Sequence, residues 1–216
     1  MIQAVFFDLD GTLIDSVADL AESVNRMLDQ QGHPRQPLEV FPQFIGEGLR
    51  QLVQSALPST HQDVAYIDHC VEIYKTHYTQ LWHDQTRPFA GIQNLLDQLR
   101  ERGIPLACIS NKTHHFTQLC CAHFFPSDTF ASILGQRDSV PRKPAPDAAL
   151  ECATALAVPI QNCAYVGDSG IDMQFAQNAG MVSIGVSWGL RSLEELLQHG
   201  AQHIVHTPAE ILDLVR

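Results

Sequence analysis

Basic residues are scarce in this sequence. Lysine and arginine together number 13, against 24 aspartates and glutamates, for a formal net charge of -11. That balance excludes a broad basic footprint for nucleic acid or anionic membrane, while a local cationic pocket stays compatible with it. No apolar run approaches the roughly 18 residues that suggest a membrane span. The opening run "AVFF" is too short for the apolar stretch of a signal peptide and is closed by Asp8 and Asp10. The six cysteines (Cys70, Cys108, Cys120, Cys121, Cys152, Cys163) show no CxxC spacing, and no His/Cys set suits zinc. They read as reduced thiols, several on core-facing positions, and the chain is expected to be cytoplasmic. There are no internal repeats and no low-complexity tracts.

What is present is a globular composition: 216 residues, 45% hydrophobic and 17% charged. Segments 2–8, 104–110, 163–168 and 181–187 are nearly continuous apolar runs, as expected for parallel strands covered on both faces. Segment 130–135 is a weaker candidate, and 203–206 suits a short edge strand. Helical patterns at 91–103, 147–158, 172–180 and 192–200 alternate with them. The rhythm predicts an α/β fold, a doubly wound, Rossmann-like parallel sheet with right-handed crossovers. From Asp15 to Arg87 the rhythm breaks into helical patterns (17–32, 48–57) without a convincing strand. The expectation is a catalytic α/β core formed by 1–14 and 88–216, with a small helical cap, 15–87, inserted after the first strand. Proline and glycine in "RPFAG" at 87–91 mark the return hinge.

Ligands of such sheets bind beyond the carboxyl ends of the strands. Polar residues gather at those ends: Asp8, Asp10, Gly11 and Thr12; Ser110, Asn111 and Lys112; Gly167, Asp168, Ser169 and Asp172. Lys143 lies in the loop "RKPAP". An extended backbone would turn Asp8 and Asp10 to the same side, and Asp168 makes three carboxylates converging on one crevice. Such carboxylates repel unless a cation or a proton intervenes. Oxygen ligands, few in number, suit Mg²⁺, which also binds substrate phosphate. The set points to phosphoryl transfer, with an ionised aspartate as nucleophile and a second aspartate moving protons. Lys143, Ser110 and backbone N–H groups near Asn111 would grip the phosphoryl oxygens.

"DLDGT" at 8–12, "SNK" at 110–112, "KPAP" at 143–146 and "GDSGID" at 167–172 occur in the order found in the haloacid dehalogenase superfamily, which the whole chain resembles. The helical insert lies where that family carries its C1-type cap. The resemblance implies Asp8 as nucleophile and Asp10 as general acid/base. It further implies Mg²⁺ on the Asp8 carboxylate, the Asp10 backbone carbonyl and Asp168, with Asp172 in the second shell. Gly11, Ser110, Asn111 and Lys143 would bind phosphate. Dehalogenase and phosphonate-cleaving members lack the second aspartate, so Asp10 favours phosphate monoester hydrolysis. Segments 44–57 and 187–214 resemble bacterial phosphoglycolate phosphatases. On that likeness Gly46 and Gly48 let the cap backbone approach a small substrate, and Arg50 is the candidate contact for its carboxylate. The partner expected is a small phosphorylated metabolite, for a monomer or homodimer; neither nucleic acid nor membrane is expected. Another sugar-phosphate phosphatase, a 5'-nucleotidase or a β-phosphoglucomutase-type isomerase are the alternatives.

Several residues have plainer readings. Arg50 suits a solvated helix face. Asp172 suits a helix cap, which is compatible with a place near the metal. His114 and His115 suit a helix start at the cleft rim rather than a metal site. Cys120 and Cys121 are expected as one buried and one partly buried thiol. Trp188 and Arg191 could order the loop after the last long strand.

Overall fold

The computed structural model describes residues 1–215. The chain begins with β1 (Ala4–Phe7) and β2 (Ile14–Asp15) and then enters a helical stretch of α1 (Val17–Gln30), α2 (Phe41–Phe44), α3 (Leu49–Ala56) and α4 (Val64–Leu81). It returns through β3 (Arg87–Pro88) to α5 (Ile92–Glu101), β4 (Leu106–Thr113), α6 (His114–Phe124) and β5 (Ser132–Gln136). Then follow α7 (Asp147–Ala155), β6 (Cys163–Gly167), α8 (Gly170–Ala179), β7 (Val182–Val186), α9 (Leu193–Gln198), β8 (His203–Val205) and α10 (Ile211–Leu214).

Among the described residues, the main sheet has six parallel strands in the order β5-β4-β1-β6-β7-β8. β1 is central, and the chain builds outward from it first on one side and then on the other. The topological switch point, where such folds bind ligands, therefore lies at β1 between β4 and β6. Burial explains the continuous apolar runs. Val5 and Phe7 join α5 and α6 in one core, while Ala4 and Phe6 join α7 and α8 in the other. Both faces of the sheet are covered, so neither tolerates polar alternation.

Register brings the functional ends together. Phe7 pairs with Cys108 on one side and Val166 on the other. Asp8, Ser110 and Asp168 follow within one or two residues and emerge at the same edge.

The helices between β2 and β3 have their own apolar cluster, built from Leu20, Val24, Leu52, Ile67, Tyr74 and Tyr78 with their neighbours. β2 and β3 pair antiparallel, Ile14 with Pro88 and Asp15 with Arg87. This ribbon corrects the expectation of a strand-free stretch up to Arg87; two residues per strand, one a proline, leave no readable period. α4 is also missing from the patterns read above. Its buried residues Ile67, Cys70, Val71, Tyr74, Tyr78 and Leu81 do follow one helical stripe, but Ala65, Tyr66 and Ile73 lie off it and blur the pattern.

Candidate active site

Asp8 directly follows β1 and is buried, 7% exposed. Asp10 reaches the same cavity by another route than extended backbone. β1 stops at Phe7, and the Leu9 carbonyl accepts from the N–H groups of Thr12, Leu13 and Ile14 in a tight turn. Gly11 makes that turn possible with φ of +86°, and a Cβ there would lie 2.4 Å from Asp168 Oδ2. Asp168, at the end of β6, is held by Thr12 Oγ1 at 3.0 Å and the Leu190 N–H at 2.8 Å. Trp188 fixes the loop that supplies Leu190 by donating to the Thr12 carbonyl at 3.0 Å.

Carboxylate oxygens of Asp8, Asp168 and Asp172 lie within 4.8 Å of one another. The carboxylate of Asp10 is outside this cluster, which corrects the expectation that Asp8, Asp10 and Asp168 converge. It faces Ser16 Oγ, at 2.6 Å, and Lys112 Nζ, at 3.0 and 3.1 Å. Asp172 takes its place in the cluster while serving as a helix cap. Its Oδ2 accepts from the Asp168 and Ser169 N–H groups and from Ser169 Oγ, closing a capping box at the start of α8. Its Oδ1 accepts from Lys143 Nζ at 2.7 Å.

Lys143 is fully enclosed. Nζ also donates to Tyr165 Oη at 2.7 Å and lies 2.8 Å from Asp8 Oδ1. The last contact is off the line of a hydrogen bond, so Asp8 Oδ1 is a buried oxygen without a hydrogen-bond partner. Burial works against the ammonium, but Asp172 and Asp8 outweigh it and hold Lys143 above the ordinary lysine range. Burial pushes Asp8 up to about 6, against the opposing pull of Lys143. Burial, then Asp172 and Asp8, push Asp168 up to about 8. Oxygen ligands in a tight group, one of them without a hydrogen bond, and two carboxyls reluctant to ionise together are the features a divalent cation would relieve. The cluster fits such an ion.

Ser110 and Asn111 belong to β4 and are buried. Ser110 Oγ accepts the Lys112 N–H at 3.2 Å. The expectation for Asn111 concerns its backbone N–H; its side chain is a staple. Its Oδ1 accepts from the Lys143 N–H at 2.9 Å, and its Nδ2 donates to the Lys143 and Gly46 carbonyls at 3.1 and 3.0 Å. Arg142 donates to the Glu47 carbonyl at 2.6 Å and Arg191 to that of Ile45 at 3.0 Å. The turn at 45–48 is thereby drawn down onto the strand ends. Gly48 serves this approach, with φ of +91° and the Asn111 carbonyl 3.4 Å from any added Cβ.

A cavity of about 60 Å³ lies between the strand ends and the insert. Asp8, Asp10, Ser110, Asn111 and Lys112 line its floor, and Tyr74, Tyr78, Leu52 and Phe116 its roof and walls. Arg50 does not line it. Its guanidinium donates to Asp68 at 3.1 Å on the outer face and borders an open groove instead. The expected carboxylate contact has no geometric support in this conformation. His114 starts α6 and accepts the Gly135 N–H at 3.1 Å, consistent with its reading as a helix start. Cys120 and Cys121 are both buried, correcting the expectation of one partly open thiol. α6 is enclosed by the sheet and by the insert, where Phe116 packs on Tyr78 with ring centres 4.8 Å apart.

Lys112 is the site residue to which the motifs assign no role. A readable signal is the scarcity of lysine: the chain has three, Lys75, Lys112 and Lys143, and two of them lie within the site motifs.

Comparisons with known proteins agree with this geometry. Residues 5–186 match the haloacid dehalogenase-like hydrolase family. A phosphoglycolate phosphatase of Pseudomonas putida is 33% identical over 216 residues, covering 98% of this chain and 76% of that protein. One from Neisseria meningitidis is 35% identical, covering 93% and 86% respectively. A crystal structure from Lactobacillus delbrueckii subsp. bulgaricus superimposes with a TM-score of 0.93 at 34% identity, covering 99% of this chain and 98% of that one. A β-phosphoglucomutase from Clostridium difficile, at 21% identity and a TM-score of 0.80, shares the fold over the whole of both chains. By sequence match and by fold, the chain belongs to the haloacid dehalogenase-like hydrolase family, among relatives that are phosphatases.

Proposed function

We propose that this hydrolase cleaves small phosphate monoesters through an aspartyl-phosphate on Asp8, with Mg²⁺ as cofactor and 2-phosphoglycolate as substrate. The observation that carries the reading is Asp8 Oδ1, buried and without a hydrogen-bond partner, beside Lys143 at the floor of the cavity under the insert. The substrate assignment leans further on the curated relatives, which are phosphoglycolate phosphatases.

Asp8 attacks phosphorus, forming a P–O bond to its carboxylate as the ester P–O bond breaks. Lys143 offsets the charge of the equatorial oxygens, and Ser110 with nearby N–H groups orients them. Asp10 protonates the departing alkoxide, then takes a proton from the water that attacks phosphorus and frees Asp8. The Asp8 carboxylate, the Asp10 backbone carbonyl and Asp168 would hold Mg²⁺, which supplies charge neutralisation at the phosphoryl group. Asp172 holds Lys143 and the start of α8 in place. The helical insert acts as the cap, shielding the cavity while the phosphoenzyme exists.

The test is phosphate release with and without Mg²⁺ from phosphoglycolate, sugar phosphates, nucleotides and pyrophosphate. Phosphoglycolate should be preferred, and Asp8→Asn should lower turnover at least about a thousandfold. Release that persists in that variant removes Asp8 as nucleophile. Preference for another ester keeps the chemistry and discards the substrate.

A further inference from the structure

Two of the chain's three lysines are buried at the site. Lys143 is consumed by Asp8, Asp172 and Tyr165. Lys112 is placed differently: its side chain is 6% exposed, lines the cavity, and meets both oxygens of Asp10. Its ammonium also lies 4.8 Å from the centre of the Tyr78 ring, which comes from the insert. Tyr78 lines the same cavity, and its buried hydroxyl has no hydrogen-bond partner.

With a phosphoryl group at Asp8, the rest of the substrate must occupy the part of the cavity between Lys112 and the insert. Apart from Lys112, the surface it meets there is largely aromatic and aliphatic: Tyr74, Leu20, Leu52, Ile45 and Phe116. Arg50 is turned outward and paired. We infer that Lys112 is the specificity-determining cation, pairing with a carboxylate on the leaving portion of the substrate in place of part of its contact with Asp10. This rests on the phosphatase reading above and names the residue that selects within it.

Exchange of partners is the physical core of the inference. Drawing a buried ammonium away from a carboxylate is strongly unfavourable unless another anion replaces it. A substrate hydroxyl is too weak a replacement, whereas a carboxylate restores the pairing. The same movement frees Asp10 Oδ2, leaving it available to the ester oxygen. The class selected is therefore a phosphorylated carboxylic acid.

The experiment compares phosphoglycolate with ethyl phosphate, which has the same length and no carboxylate, in wild type, Lys112→Met and Lys112→Arg. The quantity read is the ratio of kcat/KM for the two esters, which is independent of the fraction of enzyme correctly folded. In Lys112→Met this ratio should fall at least about 30-fold, chiefly through the KM for phosphoglycolate. Lys112→Arg should retain part of it. A ratio unchanged within about threefold overturns the inference and leaves Lys112 as a positioning residue for Asp10. Wild type that hydrolyses ethyl phosphate without preferring phosphoglycolate also overturns it, with the phosphatase reading intact. Hydrolysis of neither ester overturns the inference, and release from no member of the wider ester panel removes the phosphatase reading as well.

Discussion

Three buried carboxylates within 4.8 Å of one another cannot all carry full charge without a cation or a proton between them. Asp168 shows the consequence, since burial and its acidic neighbours push it from 3.8 to about 8. The folded, metal-free chain therefore keeps a proton that the unfolded chain releases near pH 4. Between those limits the folded state binds more protons, so its stability falls as pH rises, with no contribution to the slope below or above them. Metal-free wild type should melt several degrees below Asp168→Asn at pH 8 and equal it at pH 4, as read by thermal denaturation. Mg²⁺ should raise the melting temperature of wild type more at pH 8 than at pH 5, because the ion displaces the proton. A variant with the same pH slope as wild type would show that Asp168 is not the residue responsible. Gly11 is bound to this residue too: its positive φ and the approach of Asp168 Oδ2 leave no room for a side chain.

Between elements, one buried tie outside the sheet is Asp19, in the first turn of α1 and 1% exposed. It accepts from the Gln85 N–H at 3.0 Å, the Thr86 N–H at 2.8 Å and Thr86 Oγ1 at 2.6 Å. The chain leaving the core and the chain returning to it are thus joined by one carboxylate, beside the β2–β3 ribbon. Asp19→Ala leaves two backbone donors unsatisfied and should cost about 2–4 kcal/mol. The check is a lower urea midpoint with an unchanged m-value. A loss below about 1 kcal/mol would mean that water substitutes for the carboxylate. Nothing in "VADLAE" marks this aspartate as buried, since its partners lie more than 60 residues away. The strands were readable because each is covered on both faces and so apolar throughout. α4 and the ribbon are not, one because apolar residues outside its buried stripe blur the period and the other because it is too short for one.

At the scale of the whole molecule, the core grips the insert through backbone carbonyls. Asn111, Arg142 and Arg191 reach Gly46, Glu47 and Ile45. If the insert closes over substrate, these donors hold the closed form. Replacing Arg142 and Arg191 together by Met should raise KM by about tenfold, the equivalent of one net hydrogen bond, about 1.4 kcal/mol. Steady-state kinetics on the preferred ester would measure it, and an unchanged KM would mean that closure does not depend on this turn.

The sequence by itself determined the α/β class, the parallel sheet, the family and the motif-bearing strand ends. Those features are local: apolar runs of strand length, glycines that permit turns, and short motifs whose residues travel together. Tertiary structure alone decided which carboxylate joins Asp8 and Asp168. The turn after β1 swings Asp10 toward Lys112, while the cap of α8 brings in Asp172. It also decided that Lys112 faces the cavity and Arg50 faces outward. The physical reason is that burial and charge pairing depend on neighbours distant in the chain, and nothing local to Lys112 or Arg50 says which cation the fold places beside the cavity.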